Sequence, residues 1–193
     1  MTTKYTTLIV AIVAIASIGG AFALSQDFTS PQNNIKSENM KSLGHIQLVV
    51  YGADGAIKGY RQTDNLVVTN GDNVTANQIF GTTLTTTTSF GGAFKYIGVG
   101  SSSTAAAVTQ TNLQTQVSSH RQGTVTNGAI HGTAQIQVTF PANRLTNSSA
   151  VGIQESGLFD GYNATNLFAR QTFTSISVNP ADTLQVTWTV TIT

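Results

Sequence analysis

The stretch that decides the fold is the C-terminal run TLQVTWTVTI at residues 183–192. Apolar and polar residues alternate along it without a break, which is the period of a β-strand with one face on a core. The residues on the apolar face are Leu184, Val186, Trp188, Val190 and Ile192. We therefore expect Trp188, the single tryptophan of the chain, to lie in the core rather than on a sugar-binding surface.

Shorter segments of the same kind precede this run and are separated by turn residues. Asp54-Gly55 and Asn127-Gly128 are the residue pairs that form tight hairpin turns, because they tolerate positive φ. We predict a hairpin around each pair. The predicted strands are His45–Tyr51, Ala56–Thr63, Asn65–Thr69, Phe94–Val99, Gln122–Thr126, Ala129–Phe140, Gly152–Phe159, Leu167–Thr174 and the C-terminal run.

Helical signals are few. Asp72 is placed to cap a short helix over Asn73–Phe80, and a second brief helix is an option at Thr111–Gln116. Eight to ten short strands with so little helix predict an all-β fold, a single jelly-roll-like β-sandwich domain at residues 44–193 with one or two short helices. The 31 threonines fit this class, because a β-branched residue favours strands and its hydroxyl keeps an outer face wet.

The N-terminal segment sets the expected compartment. Residues 1–23 combine Lys4, an apolar run and a small-residue site ending at Ala23, which is the order of a secretory signal peptide. The alternative is an uncleaved membrane anchor. Residues 24–43 then form a polar arm or linker. The arm holds only Leu24 and Phe28 in the alternation that a strand donated to a neighbouring subunit would need.

The chain has only 17 charged residues, 9 basic and 8 acidic, among 193. That 9% compares with roughly 25% in an average globular domain. No two basic residues are adjacent, which argues against a nucleic-acid partner, and the absence of cysteine excludes disulfide scaffolds and zinc ribbons. Loss of Lys4 with the signal would leave 8 basic against 8 acidic residues, a net charge of zero that favours self-association.

No pattern for catalysis, metal binding or a cofactor is present. His45, His120 and His131 lie apart from one another and from acidic neighbours, whereas a zinc site needs three or four converging ligands. Glu155 and Asp160 could form the carboxylate pair of a glycoside hydrolase. We interpret them instead as residues with a local role near the following turn.

Export gives three N-x-S/T sequons a context as glycosylation candidates. They begin at Asn73, Asn147 and Asn163. Surface tyrosines are a separate candidate feature, because exposed aromatic rings can form a platform for sugars. The tyrosines considered are Tyr51, Tyr60, Tyr96 and Tyr162.

Six short segments follow one another in a characteristic order over residues 45–193. They are NLVVTNG at 65–71, YIGVGSS at 96–102, TNLQTQV at 111–117, IQESGLFD at 153–160, NLFAR at 166–170 and TLQVTWTV at 183–190. In this succession the chain resembles a family of virion-type structural proteins, the small β-rich tail or tail-fibre-associated subunits of phages and related archaeal proteins. The resemblance implies a β-sandwich building block without catalytic activity. Since phage tail subunits assemble inside the cell, the secretory signal indicates an exported subunit that uses a similar domain.

These observations lead to one functional expectation and one alternative. We expect a secreted, non-enzymatic structural protein at the cell surface, a subunit of an extracellular filament, sheath or surface assembly whose main partner is its own copies. The alternative is a cell-surface adhesin or glycan-binding module. A membrane is expected as a partner only if residues 1–23 stay attached.

Overall fold

The computed structural model describes residues 42–80, 92–162 and 166–193, apart from the side chains of 77–80. Within these ranges the chain forms ten strands and one helix. They are β1 (Ser42–Tyr51), β2 (Ile57–Asp64), β3 (Leu66–Val67), α1 (Thr69–Phe80), β4 (Tyr96–Gly100), β5 (Arg121–Gln122), β6 (Thr124–Asn127), β7 (Thr133–Phe140), β8 (Val151–Phe159), β9 (Leu167–Val178) and β10 (Thr183–Ile192).

The strands form two antiparallel sheets of five strands each. Sheet A has the order β2-β1-β10-β7-β6, and sheet B has the order β3-β9-β8-β4-β5. The C-terminal strand β10 is central in sheet A and pairs with β1 along its whole length, from Thr183 opposite Tyr51 to Ile192 opposite Ser42. Apolar residues of both sheets share one core. The prediction of an all-β sandwich is confirmed.

Trp188 shows how the two sheets are joined through the core. Its side chain is fully buried, as predicted, and its Nε1–H donates to the hydroxyl of Ser156 on β8 at 3.2 Å. That hydroxyl donates in turn to the carbonyl of Gly98 on β4 at 2.9 Å. A chain of two buried hydrogen bonds therefore connects the central strand of sheet A to two strands of sheet B.

The first predicted hairpin is confirmed. β1 and β2 pair in antiparallel register, and Gly55 in the connecting turn has a φ of 79°. The carboxylate of Asp54 accepts a hydrogen bond from the backbone N–H of Ala56 at 3.1 Å, which closes the turn locally. The Asp-Gly pair therefore acts as the sequence indicated.

The second hairpin forms, but its predicted two-residue turn is wrong. Asn127 still belongs to β6 and pairs with Ala134, so the connection runs through residues 128–132. Gly128 donates to the carbonyl of Thr133 at 2.8 Å, and the positive φ falls on Gly132, at 75°. Gly128 therefore closes a longer turn, and the residue with positive φ is Gly132 rather than Asn127 or Gly128.

The predicted start of the helix is also wrong. α1 begins at Thr69 rather than Asn73, and Asp72 lies inside its first turn, where its backbone N–H donates to the carbonyl of Val68. The first N–H groups of a helix have no partner within it. Here the carbonyl of Val108, in a distant loop, accepts from the N–H of Thr69 at 2.9 Å, so a tertiary contact replaces the expected side-chain cap.

The optional helix at Thr111–Gln116 does not form. The backbone N–H groups of Gln114 and Thr115 donate to the carboxylate of Glu155, at 3.0 and 2.7 Å, instead of to carbonyls one turn earlier. The N–H groups that a helix would use are therefore bonded to a buried carboxylate on β8. The segment is held in an irregular conformation instead.

The described residues begin inside the predicted arm. β1 begins at Ser42, two residues before the predicted domain start at 44. The predicted signal peptide at 1–23 and residues 24–41 of the predicted arm lie outside the described residues. None of the described residues belongs to a helix that is long and apolar enough to cross a membrane.

A salt bridge ties the first hairpin to the turn before β10. Lys58 Nζ donates to the buried carboxylate of Asp182 at 2.7 Å. The hydrogen bond from Lys58, assisted by the backbone N–H of Asn179, lowers the pKa of Asp182 below its ordinary value of 3.8. Asp182 therefore remains ionised in the folded chain at mildly acidic pH.

We expect Trp188→Phe to lower the free energy of unfolding by about 2–4 kcal/mol, because it removes volume from the core and leaves the Ser156 hydroxyl without its indole donor. Urea titration followed by circular dichroism measures this, since the variant has no tryptophan fluorescence. Thr187→Val, on the opposite face of the same strand, is the matched control and should change stability by less than about 1 kcal/mol. Equal effects of the two substitutions would contradict the core role of Trp188.

Candidate functional site

A long irregular loop covers the side of sheet B that faces away from the shared core. We call residues 101–120, between β4 and β5, the outer loop. Leu113 of this loop packs with Val68, Phe159 and Leu167 in a second, smaller apolar cluster. Because neighbouring residues of a strand point to opposite faces, Glu155 faces the outer loop while Ser156 faces the core.

An ion pair between Glu155 and Arg170 fixes the outer loop to the sheet. Both side chains are completely buried, and Nε and Nη2 of the guanidinium each lie 2.8 Å from Glu155 Oε2. The carboxylate also accepts from the backbone N–H groups of Gln114, Thr115 and, at 3.4 Å, Ser102. The acid therefore binds the loop near its start and again in its second half.

The arginine holds the middle of the same loop. Arg170 Nη1 donates to the side-chain oxygen of Gln110, and Nη2 donates to the carbonyl of Thr104, each at 2.9 Å. A buried ion pair is tolerated when further hydrogen bonds satisfy both partners. That condition is met here, so the pair and the outer loop depend on each other.

The structure does not assemble the carboxylate pair that a hydrolase would need. Glu155 is committed to Arg170, and Asp160 accepts from the backbone and side-chain amides of Asn166, at 3.0 and 2.6 Å. Five residues of extended chain separate the two acids by about 16 Å. The local role predicted for Asp160 fits this contact.

We expect Glu155→Gln to lower the free energy of unfolding by about 3–5 kcal/mol, because it leaves the buried charge of Arg170 without its counter-ion. Limited proteolysis should then cut the outer loop at a protease concentration that leaves the parent chain intact. Asp64→Asn is the control, because the side chain of Asp64 is 93% exposed and its loss should be nearly neutral. An unchanged stability of Glu155→Gln would show that the pair does not hold the loop.

A basic pocket opens where the outer loop runs into β5. Its volume is about 540 Å³. Tyr96 comes from β4, Arg121 and Gln122 form β5, Arg144 lies in the connection from β7 to β8, and Tyr162 follows β8. The residues that line the pocket are Tyr96, His120, Arg121, Gln122, Arg144 and Tyr162.

His120 forms a rigid wall of the basic pocket. The ring is fully buried and stacks on Phe159, with ring centroids 3.8 Å apart and an interplanar angle of 20°. Its Nδ1 lies 3.2 Å from the carbonyl oxygen of Gly161, and a carbonyl can only accept, so the neutral ring carries its proton on Nδ1. Nε2 is buried without a hydrogen-bond partner.

A tight turn positions Arg144 on the opposite side. Asn143 adopts a left-handed φ of 60°, a conformation that asparagine tolerates better than most residues. Its N–H donates to the carbonyl of Pro180, and the N–H of Arg144 donates to the carbonyl of Pro141 at 3.1 Å. The backbone that carries Arg144 is therefore anchored both locally and to the turn before β10.

The charged side chains that line the basic pocket are both arginines. Among the described residues no Asp or Glu lines it, and the ion pairs His45–Asp64, Lys58–Asp182 and Arg170–Glu155 involve neither of its arginines. Hydrogen bonds from Ser119 and Arg144, together with the nearby charges of both arginines, lower the pKa of Tyr162 below 10.0. The site therefore favours negative charge even on a phenol.

Burial lowers the pKa of His120 below its ordinary value of 6.5, and the bond to Gly161 opposes this only in part. Since the unfolded chain then binds the proton more readily, the contribution of neutral His120 to stability is complete above pH 6.5 and is lost as the pH falls through the folded-state pKa. We expect urea titrations at pH 7.5 and 5.5 to show a loss of stability that His120→Gln reduces. An identical loss in the variant would contradict this assignment.

A second opening is apolar rather than basic. It is a groove at the end of sheet A where β1 and β7 begin and β10 ends. Its volume is about 250 Å³. Ser42, the first described residue, lies at its rim. The apolar residues that line it are Phe94, Ala134, Ile136, Leu158, Phe168, Val190 and Ile192.

Further apolar side chains surround this groove. Ile130 is 72% exposed in the turn before β7, and Val125 on β6 lies directly across from Ile136 of the groove. We call the groove together with Val125 and Ile130 the apolar end.

Two of the three predicted glycosylation candidates lie within the described residues. Asn73 is exposed on α1, and Asn147 is exposed between β7 and β8, so both are accessible to modifying enzymes. Asn163 lies outside the described residues. Occupancy at all three positions stays a prediction.

The other predicted site residues are scattered, except for two tyrosines. Tyr60 lies on the outer face of sheet A, where its hydroxyl bonds to Gln62, and Tyr51 lies half-buried on β1. Tyr96 and Tyr162, by contrast, both line the basic pocket. In the described ranges, no three His, Asp or Glu side chains come together in a group able to hold a metal ion.

The arginines of the basic pocket were not predicted from the sequence. Arg121 and Arg144 are 23 positions apart and sit in unrelated segments, so no spacing links them. A usable signal does exist, because neither has an acidic residue within four positions along the chain.

In comparisons with known proteins, no family model, no curated protein and no solved structure matches this chain. The resemblance to virion-type tail subunits therefore stays a prediction.

Proposed function

We propose that the chain is an exported, non-enzymatic structural protein whose copies associate into an extracellular filament, sheath or surface assembly. The observation that carries this proposal is the apolar end. Single exposed apolar residues are common on protein surfaces, but a groove bordered by several of them is typical of an interaction site. A second copy of the chain is the partner we assign to it.

The distribution of charge supports association at this end. β2, at one edge of sheet A, carries Lys58, Arg61 and Asp64, and charged residues protect a sheet edge from pairing with another chain. Arg61 also donates to the carbonyls of Thr174 and Ser175 on β9, which closes the seam between the sheets on that side. Neighbouring copies would meet repulsion and covered backbone there.

The opposite edge of sheet A has no such protection. β6 has the sequence TVTN, and all four of its residues are exposed and uncharged. Among the described residues, β6 pairs only with β7, so its other side presents backbone N–H and C=O groups that a second strand can bind. We propose that β6 pairing and burial of the apolar end act together.

The compartment rests on the sequence. The signal-like segment at 1–23 and the absence of cysteine agree with an exported chain that gains cohesion from its core and from assembly. The resemblance to tail-type building blocks is consistent with a subunit that acts through packing. No acid, base or nucleophile is required for this role.

We expect Val125→Lys to weaken self-association at least about tenfold, because it places a charge on the exposed edge and beside the groove. Sedimentation velocity over a concentration series measures this. Val108→Lys is the matched control, because Val108 is exposed to the same degree, 50% against 51%, but lies in the outer loop. Thermal unfolding checks that both variants fold.

Two results would contradict the proposal. One is a parent chain that stays monomeric at the highest concentration reached. The other is an equal effect of Val125→Lys and Val108→Lys, which would place the interface elsewhere.

As a second candidate we propose a module that binds cell-surface glycans. The specific observation in its favour is the pairing of Tyr96 and Tyr162 at the basic pocket, since the other two candidate tyrosines are not brought together. The pocket and the apolar groove have no lining residue in common, so one subunit can carry both roles.

A further inference from the structure

We propose that the basic pocket binds a saccharide that carries a carboxylate, such as a uronic-acid unit of an acidic surface polysaccharide. This inference rests on the second candidate function and narrows it from glycans in general to acidic ones. The ligand carboxylate would lie between Arg121 and Arg144, and the sugar ring would lie beside Tyr162.

The uncompensated charge is the first reason for an anionic ligand. Arg170 and Lys58 both have buried carboxylate partners, so two other cations of the described chain are paired with acids. Within the described ranges, the arginines of the pocket have no acidic partner. In a chain with so few charges, two such guanidinium groups at one opening create a local positive potential that attracts an anion.

The hydrogen-bonding groups are the second reason. Nε of Arg121 and Nε of Arg144 are buried without an acceptor among the described residues, although Arg144 also donates a hydrogen bond to the hydroxyl of Tyr162. The side-chain oxygen of Gln122 accepts from the hydroxyl of Tyr96 at 3.4 Å, which leaves the amide nitrogen of Gln122 as a donor. The pocket therefore offers donors, and its natural ligand is rich in acceptors.

The type of basic residue selects among anions. Arginine presents a planar fork that matches a carboxylate in a bidentate arrangement, whereas lysine acts as a compact point charge. Both cations of this pocket are arginines. A planar carboxylate can accept two parallel hydrogen bonds from either guanidinium.

The size and the aromatic content of the pocket indicate a ligand larger than an ion. Its 540 Å³ lies within the range of about 300–1,000 Å³ that is usual for small-molecule sites. The ring of Tyr162 is 52% exposed and gives an apolar surface with a polar tip. A pyranose ring has an apolar face for such a surface and hydroxyls for the surrounding donors.

Isothermal titration calorimetry on the purified chain tests this inference with three probes. They are tri-galacturonate, the neutral galactotriose and sodium sulfate. We expect tri-galacturonate to bind and to lose affinity as salt rises, galactotriose to bind at least about tenfold more weakly, and sulfate to compete only at much higher concentration.

Substitutions assign the binding to this pocket. Arg144→Gln should weaken tri-galacturonate binding about tenfold or more, because it removes a charge-assisted hydrogen bond, and Arg144→Lys should restore only part of it. Arg61→Gln, on the far edge of sheet A, is the charge-matched control and should bind like the parent. Thermal unfolding of each variant confirms that it is folded.

Each remaining outcome is decisive. Equal binding of galactotriose and tri-galacturonate would keep the glycan-binding function and overturn the acidic ligand. Sulfate that competes as well as the sugar acid would reduce the site to a general anion site and overturn the inference. Absence of binding to both sugars would overturn the inference and the second candidate function together, and would leave self-association to its own test.

Discussion

The ion pair between Glu155 and Arg170 is the interaction on which the outward side of the molecule depends. Two strands of sheet B supply the partners, and the outer loop supplies most of their remaining hydrogen bonds. The ion pair stabilises the fold only if the loop supplies hydrogen bonds to both side chains, because a buried charge without partners is costly. The loop in turn pairs with β4 only around Gln116, which forms an isolated bridge with Gly100, and the two charges hold the rest of it. The same loop ends at His120 and leads into β5, so it connects the ion pair to the wall of the basic pocket.

Several of the few charged residues of the chain hold backbone in place. A chain with few ions can place some at sites where they organise backbone, as Glu155, Asp160 and Asp182 do, and leave most of its outer surface to threonine and other neutral groups. Strand β6 is the clearest case, because it is exposed and uncharged and, among the described residues, pairs on one side only. Our proposal assigns contact with further copies to this edge and ligand binding to the basic pocket.

The sequence predicted the features that depend on local pattern. Alternation in residues 183–192 placed β10 and Trp188 correctly, and Asp54-Gly55 formed its hairpin, because strand period and turn chemistry act over a few residues. Prediction failed where a distant group decided the outcome. Val108 satisfies the start of α1, and Glu155 captures the N–H groups of Gln114 and Thr115, which lie 41 and 40 positions away. The arginines of the basic pocket were missed for the same reason, since only the folded sheet brings them together.

Amide hydrogen exchange at Gln114 and Thr115 tests most directly whether the buried ion pair holds the outer loop on sheet B. Both N–H groups donate to the carboxylate of Glu155 and not to a backbone carbonyl of a strand or helix, so without that carboxylate they would exchange rapidly. If the carboxylate of Glu155 binds them, we predict protection comparable to that of amides in the central strands of sheet B, and its loss in Glu155→Gln. Rapid exchange at both positions in the parent chain would contradict the view that the buried ion pair holds the outer loop on the sheet.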